Sequence, residues 1–369
     1  MRIAFLTTGF SQGNKEATKI TISLLARTLQ KQGQEISIIT QGKSSEHEQG
    51  LSIFRASSPI VKGLLSYPLA LHKTQKKFHI LHGFSAAPAL ILRSLLSRHF
   101  SQNAKIVHSL KSYSKSKWGR KGYWLLNNAD VVTVPTEVFK RRLIARGVKE
   151  RKIKVIHSPI DCQRFVPFTA TEKSKLRKKL GLSKKIIFYY GGTWNGKGVQ
   201  DLLRAFTFLL HQHDAELLLA PRYPLEKKHL QTIQQLGIAD RVRMVQEEID
   251  VPKYLNAVDL LVLPYRSLVG TEGNPSCLLE AMACKTPVVT TALPELQEIV
   301  GTEKEVLMVR PRDPASLALA MARLLENATL RKRLTENAHR KAQEFDVKKI
   351  ASELMKVYKI ASIPVPKRI

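Results

Sequence analysis

Short runs of β-branched and aromatic residues alternate with helix-length amphipathic segments along the whole chain. In the first half these runs are RIAFLTT, EISIITQ, FHILHGF, AKIVHSL, DVVTVPT and KIKVIHS; in the second they are KKIIFYYGG, AELLLAP, RVRMVQE, DLLVLPY, TPVVTT and VLMVRP. Strands separated by helices form βαβ units, whose strands are parallel. The alternation therefore predicts an α/β protein, and its repetition in each half predicts two doubly wound, Rossmann-like domains.

The domain limits follow from composition. We predict an N-terminal domain over residues 1–168 and a C-terminal domain over 185–349, because the chain of 369 residues is long enough for two cores. The polar, lysine-rich segment 169–184 between them predicts an exposed linker containing a short helix. The tail, 350–369, has apolar residues at helical spacing and is expected to pack back on the N-terminal domain as a helix.

Several classes of protein are excluded. No run of about 18 apolar residues is present, so the sequence predicts no membrane-spanning helix. Cys162, Cys277 and Cys284 have neither the C-x-x-C nor the His-flanked spacing of a zinc site, which argues against disulfide staples and structural metal and favours a reducing compartment. No G-x-G-x-x-G follows the first strand, so the sequence lacks the main motif of dinucleotide-dependent dehydrogenases.

Charge is unevenly distributed along the chain. Residues 1–180 hold 33 Lys and Arg against 9 Asp and Glu, a balance of +24, whereas residues 181–369 hold 27 against 21, a balance of +6. A field of this sign on one half favours a polyanionic partner such as an anionic leaflet, a phosphorylated substrate or nucleic acid. A basic surface that is merely solvated is the alternative interpretation.

The segment TEGNPSCLLEAMACKTPVVTTALPELQEIV, residues 271–300, carries the most specific pattern. Asn274 and Pro275 favour a helix start, where unpaired N–H groups can bind an anion. Glu272 and Glu280 stand eight residues apart and can line one crevice, with carboxylates suited to sugar hydroxyls. On residue type alone, a solvated loop acid and an ordinary helix glutamate explain them equally well.

This segment resembles the E-x7-E signature of family 4 glycosyltransferases, with its L-L-E-A-M-A core and T-P-V-V strand in register. IKVIHSPIDCQRFVP, IIFYYGGTWNGKGVQDLLRAF and AVDLLVLPY resemble further blocks of that family, in the expected order across almost the whole chain. The resemblance implies a GT-B fold with two facing Rossmann-like domains. It also implies retaining, metal-independent transfer of a hexose from a nucleotide-diphosphate sugar, without a cofactor, and no Asp-x-Asp pair is present to hold a divalent ion.

Site roles follow from the resemblance. Glu272 would lie beside the donor sugar and Glu280 would hold the ribose. Lys197, with the amides near Asn274 and Ser276, would neutralise the leaving diphosphate.

Glycines complete the implied donor site. Gly191, Gly192 and Gly198 form the loop after the strand IIFYYGG, where glycine lets the backbone approach a ligand. Gly9 and Gly13, after the first strand, would close over the diphosphate.

The chain departs from the family pattern at two positions. The family usually has arginine where Gly192 stands, so another residue must supply that cation. Lys111 stands where the family often has a histidine, and as a catalytic candidate it titrates differently from imidazole. His82 and His108 are possible acceptor or sugar contacts, although histidines at strand ends more often pack in the core.

KSYSKSKWGRKGYWLL, residues 111–126, interleaves cations with aromatic rings. Such a mixture suits an anionic membrane surface, where each cation gains about 1 kcal/mol. Core aromatics beneath solvated lysines would give the same pattern, and no nucleic-acid motif accompanies it, so no nucleic acid is expected. The predicted membrane or anion patch comprises Lys115, Lys117, Trp118, Arg120, Lys121 and Trp124.

The sequence thus predicts a retaining glycosyltransferase that is peripheral on the cytoplasmic face of the cell membrane. Its partners would be a nucleotide sugar and a glycan, lipid-linked or phosphorylated acceptor. The alternative is a non-catalytic, glycosyltransferase-like scaffold that binds polyanions.

Overall fold

The computed structural model describes residues 1–10, 16–41, 46–48, 50–56, 66–85, 91–101, 104–112, 119–245, 249–269 and 273–362. The chain forms two compact units. The first comprises Met1–Pro159, Val269–Asn274 and Val347–Ile369, and the second comprises Ile160–Leu268 and Pro275–Asp346.

Each unit contains one sheet. The strands of the first are β1 (Arg2–Leu6), β2 (Glu35–Gln41), β3 (Glu46–Glu48), β4 (Leu51–Ala56), β5 (Ile80–Ser85), β6 (Lys105–Leu110), β7 (Val131–Val134) and β8 (Ile153–Val155). Those of the second are β9 (Lys185–Gly191), β10 (Ala215–Pro221), β11 (Val242–Met244), β12 (Leu260–Leu263), β13 (Val288–Thr291) and β14 (Leu307–Val309).

The spatial order of the strands is that of doubly wound sheets. It is β3-β4-β2-β1-β5-β6-β7-β8 in the first unit and β11-β10-β9-β12-β13-β14 in the second. Neighbouring strands are parallel, except that β3 runs antiparallel to β4. The predicted α/β class is confirmed, and each predicted strand run contains a strand. The sequence did not predict β3 and β4.

Helices connect the strands and cover the sheets. They are α1 (Ala17–Lys31), α2 (Ser66–Lys73), α3 (Ile91–His99), α4 (Gly119–Trp124), α5 (Glu137–Ile144), α6 (Ala170–Lys179), α7 (Val199–Leu210), α8 (Lys227–Gln235), α9 (Val251–Ala257), α10 (Ser276–Ala283), α11 (Pro294–Gln297), α12 (Pro314–Glu326), α13 (Ala328–Ala342) and α14 (Val347–Ser362). No helix in the described part of the chain has the length and apolar character that crossing a membrane requires.

The boundaries of the two compact units differ from the domain limits that the sequence predicts. The segment predicted as a linker, 169–184, includes α6 and belongs to the second unit, whose first residue is Ile160. A capping box between Thr169 and Glu172 starts this helix. Arg177 then anchors it by donating to the Asp259 carboxylate at 2.9 Å. These contacts make α6 part of a folded unit.

Helix α14 belongs to the first unit, where it packs against α1 and β6. Its apolar stripe of Ile350, Leu354 and Tyr358 is buried. The same apolar core includes Leu25 and Leu29 of α1.

Candidate functional site

The glycine loop of the second unit follows the central strand β9. Strands β9 and β12 are neighbours in the sheet although they are distant in sequence, so the strand order reverses between them. At such a reversal the connections leave opposite sides of the sheet, and a crevice opens at the carboxyl ends of the strands. The loop between β9 and α7 lies at this edge.

Two glycines give the loop its path. Gly191 has φ +121° and Gly198 has φ +72°, both in the region that favours glycine. A Cβ atom at Gly198 would lie 1.8 Å from the carbonyl oxygen of Pro264. Glycine is therefore needed at position 198 for two reasons: its φ angle is positive, and the segment after β12 passes too close to leave room for a side chain.

Arg266, in the segment after β12, holds the loop between β9 and α7 by hydrogen bonds. Its guanidinium donates to both carboxylate oxygens of the buried Asp201 on α7, at 2.6 and 2.5 Å. It also donates to Asn195 Oδ1 at 2.6 Å, while its backbone N–H donates to the Gly196 carbonyl at 2.9 Å. The hydrogen bonds that Arg266 donates to the Asp201 carboxylate raise the pKa of Arg266. Paired charged contacts of this kind fix geometry as well as adding stability.

The Lys197 ammonium lies over two aromatic rings. Its Nζ atom is 4.5 Å from the centre of the Tyr265 ring and 4.9 Å from that of Trp194. Cation–π contacts at these distances are attractive. The two rings thus hold the ammonium group within the loop. Its contact with a phosphate stays a prediction.

Trp194 covers Gly192, the position that departs from the family pattern. A Cβ atom at Gly192 would lie 1.7 Å from the Trp194 ring, so the ring occupies the space into which a side chain would project. Tyr189, buried in β9, donates a hydrogen bond to the Gly192 carbonyl. The loop is thus built around glycine at this position.

Helix α10 starts one residue later than the sequence suggests. Pro275 is its N-cap residue, with φ −65° and ψ 124°, and Ser276 is its first residue. The prediction that Asn274 caps this helix was wrong, because Asn274 lies one position too early to reach the N–H groups of the first turn. The Asn274 side chain is fully buried, and neither amide atom has a hydrogen-bond partner in the described part of the protein.

Glu280 lies one helical turn after Ser276. Tyr190, at the end of β9, donates to its Oε2 atom at 2.5 Å, and the Ser276 side chain also bonds to it. Burial raises the pKa of Glu280, while the Tyr190 hydrogen bond, the charge of Arg164, the Ser276 bond and the charge of Arg222 oppose that rise. The sequence did not single out Tyr190, Arg164 or Arg222. The Tyr190 hydroxyl fixes the carboxylate at this edge of the sheet, and the charges of Arg164 and Arg222 act on it.

In the first unit, the loop after β1 is anchored by α1. Lys19 is buried, and its Nζ atom donates to Thr7 Oγ1 at 3.0 Å and to the Thr8 carbonyl. Desolvation lowers the pKa of Lys19. Gly9 follows with φ +57°, so the chain turns there as a glycine allows. Its contact with a donor stays a prediction.

His82 forms part of a buried network and is not placed to contact a substrate. Its Nδ1 atom is 2.6 Å from the Tyr358 hydroxyl, and its Nε2 atom is 2.7 Å from Ser109 Oγ. Ser109 Oγ in turn lies 2.5 Å from Thr133 Oγ1. Burial lowers the pKa of His82 well below its ordinary value. Both ring nitrogens are used inside the unit, so the predicted sugar or acceptor contact is not supported.

His108 and Lys111 are also buried, at the end of β6. His108 Nε2 lies 2.8 Å from Ser85 Oγ, and the ring lines a small cavity with Tyr67 and Arg93. Burial lowers the pKa of His108 to about 4. The Lys111 backbone N–H donates to the Ser85 carbonyl at 3.1 Å. Their roles toward a substrate stay predictions.

Other predicted residues cannot be placed. Gly13, Glu272, Lys115, Lys117 and Trp118 lie outside the described residues, as do the side chains of Arg120 and Lys121. Trp124 of the same patch is described, and it is 58% exposed. Across the described ranges, no group of three or more His, Cys, Asp or Glu side chains is arranged to hold a metal ion.

Both halves of the chain match family models. Residues 20–164 match the model described as Glycosyltransferase Family 4, and residues 184–327 match Glycosyl transferases group 1. An uncharacterised glycosyltransferase of Methanocaldococcus jannaschii is 25% identical over 98% of each chain. The N-acetyl-alpha-D-glucosaminyl L-malate synthase of Bacillus anthracis is 26% identical over 90% of this chain and 91% of its own.

A solved structure is similar over nearly the full length. The Anabaena protein Alr3699/HepE, in complex with UDP and glucose, superposes with a TM-score of 0.81 at 18% identity, covering 97% of this chain and 99% of its own.

Gly198→Ala is expected to destabilise the second unit more than Gly237→Ala does. Both glycines have positive φ, but a Cβ at Gly237 meets nothing within 4 Å. Gly237→Ala should therefore cost only the backbone strain of about 1–2 kcal/mol, whereas Gly198→Ala adds the clash with Pro264. Urea unfolding of both variants measures the difference. Equal losses would contradict the close-approach argument.

His108 is expected to make the first unit less stable as pH falls from about 6.5 to 4. The unfolded histidine titrates near pH 6.5, whereas the folded pKa is about 4. The unfolded chain therefore binds the proton first, at a cost of about 2 kcal/mol by pH 5. Urea unfolding at pH 7.5 and 5 should show a smaller difference in His108→Gln than in wild type.

The exposed His211 supplies the control for this pH experiment. His211→Gln should keep the wild-type pH dependence. A pH dependence in His108→Gln as steep as that of wild type would show that other groups cause it.

Proposed function

Since the chain belongs to the family 4 glycosyltransferases of group 1 type, we propose that it transfers a hexose from a nucleoside-diphosphate sugar with retention of configuration. The protein is a glycosyltransferase, and its fold is GT-B.

The observation that carries the proposal is the fixed carboxylate of Glu280. Tyr190 and Ser276 hold it at the carboxyl-end edge of the sheet. In our proposal this carboxylate accepts hydrogen bonds from the ribose hydroxyls of the donor. Its rigid support supplies the preorganisation that recognition of a sugar diol needs, since little freedom is lost when the ligand binds.

The diphosphate would be bound by positive charge and by backbone N–H groups. Lys197 supplies the charge, and the first turn of α10 supplies N–H groups without partners inside the helix. As the bond between the anomeric carbon and the phosphate oxygen breaks, these groups would stabilise the leaving diphosphate. The acceptor oxygen would bond to the same face of the sugar, with Glu272 beside it. We propose that no metal ion takes part, because protein groups provide this neutralisation.

The Anabaena neighbour was solved with UDP and glucose, which makes UDP-sugars the first donors to test. The Bacillus anthracis relative is named for joining glucosaminyl and malate groups. For this chain we propose a glycan, lipid-linked or phosphorylated acceptor. Residues 1–180 contain 33 basic and 9 acidic residues, and this positive charge supports an anionic acceptor.

We further propose that the enzyme works as a peripheral protein at the cytoplasmic face of the membrane. The charge of the first half supports attraction to anionic lipid, and the exposed ring of Trp124 suits headgroup depth.

Glu280→Ala is expected to weaken donor binding about 10- to 100-fold, because hydrogen bonds to a charged group are lost. The measurement is thermal shift and slow release of nucleoside diphosphate from UDP-, GDP- and ADP-sugars at fixed salt. Glu353→Ala, an exposed glutamate of α14, is the control and should behave as wild type.

Undiminished turnover in a folded Glu280→Ala variant would refute the assigned role. If wild type binds none of the donors but shows salt-sensitive binding to polyanions, the alternative of a non-catalytic scaffold replaces the enzymatic proposal.

Trp124→Ala is expected to reduce binding to vesicles containing phosphatidylglycerol about tenfold, since apolar area leaves the interface. Phe208→Ala removes a ring of the second unit that is 50% exposed, and it should change nothing. Sedimentation with phosphatidylglycerol and with phosphatidylcholine vesicles at two salt concentrations measures both. Equal binding to the two lipids would contradict the proposed surface.

A further inference from the structure

The glycine loop of the second unit lacks a cation that its family pattern includes. Gly192 stands at the position where an arginine is usual, and Trp194 covers it so closely that a Cβ there would be 1.7 Å from the ring. Between Gly191 and Gly198 the sequence GGTWNGKG contains Lys197 as its one charged residue. A diphosphate carries more negative charge than one ammonium group balances, so a second cation at this edge would add to the neutralisation by Lys197 and by the N–H groups of α10.

Arg222 lies beside that loop on the neighbouring strand. Strand β10 pairs with β9 as far as Pro221 opposite Gly191, and Arg222 follows directly. Its backbone N–H donates to the Gly191 carbonyl at 2.8 Å. Adjacent strands lie about 4.8 Å apart, so this hydrogen bond anchors Arg222 one strand spacing from the first glycine of the loop. Its side chain is exposed and accessible to a ligand.

The charge of Arg222 acts on groups from both sides of the crevice. It lowers the pKa of Glu280 and of Cys277, both on α10, although burial raises each of these pKa values overall. It also opposes the rise that burial causes in the pKa of Tyr189 on β9. These influences agree with the backbone position of Arg222, which follows β10 directly at the carboxyl-end edge of the sheet.

We propose that Arg222 is a donor-binding residue whose guanidinium contacts the phosphates of the nucleoside diphosphate and supplies the cation missing at Gly192. This rests on the proposed function, since it presumes a nucleoside-diphosphate sugar as donor. Arginine suits the task because its planar fork can donate two hydrogen bonds to phosphate oxygens. In this proposal Arg222 compensates for the positive charge that is lost where Gly192 replaces the usual arginine.

The test compares affinities for ligands with and without phosphate. Wild type, Arg222→Ala, Arg222→Lys and Arg310→Ala are titrated with UDP, GDP and ADP, and with the matching nucleosides by ligand-observed NMR. Arg310 is the matched control because it also directly follows a strand of this sheet, but β14 is three strands away from β9. Thermal unfolding of each variant checks that the fold is retained.

We expect Arg222→Ala to weaken binding of the preferred nucleoside diphosphate about 10- to 100-fold, and to leave affinity for the nucleoside unchanged. Arg222→Lys should retain part of the diphosphate affinity, and Arg310→Ala all of it. Unchanged diphosphate affinity in Arg222→Ala overturns the inference, and so does an equal loss for nucleoside and diphosphate, which indicates a contact with the base. If wild type binds no nucleoside diphosphate, the proposed function itself fails.

Discussion

The parallel arrangement of strands determines where chemistry can occur in this protein. A parallel sheet needs a crossover for every strand, so all carboxyl ends of the strands lie at one edge. In the second unit that edge collects the glycine loop after β9, Arg222 after β10 and Tyr265 after β12. Residues far apart in sequence therefore meet without any long loop. Strand order determines which of them meet, because β10 and β12 are the strands on either side of β9.

Rigidity at this edge comes from a few buried contacts. The Arg266–Asp201 ion pair connects the segment after β12 to α7, across the strand reversal. Asp201 is only 4% exposed, so the pair is shielded from solvent and geometrically defined. Gly198 allows the same segment to pass at contact distance. Lys197 lies between Gly196, whose carbonyl accepts from the Arg266 backbone N–H, and Gly198.

The sequence predicted the fold better than the site. Strand runs such as KKIIFYYGG and DLLVLPY have an unbroken apolar centre because both faces of a parallel sheet are covered, and this signal is local. Strands β3 and β4 were missed because EHE and LSIFRA are short and partly polar, and form only by pairing. Asn274 failed as a cap because Pro275 takes that position. The packing of Trp194 on Gly192 and the influence of Arg222 on Glu280 depend on three-dimensional proximity, which spacing along the chain does not encode.

The buried hydrogen bond between His82 and Tyr358 affects the order in which the protein can fold during synthesis. Tyr358 lies on α14, which the ribosome makes after the whole second unit, whereas His82 is made early. Until α14 emerges, His82 lacks one partner and the apolar faces of β1 and α1 lack their cover. The first unit therefore cannot complete its apolar core before the second unit has been synthesised. A nascent chain therefore exposes apolar faces of β1 and α1 until α14 has been made, and such transiently exposed surface favours aggregation.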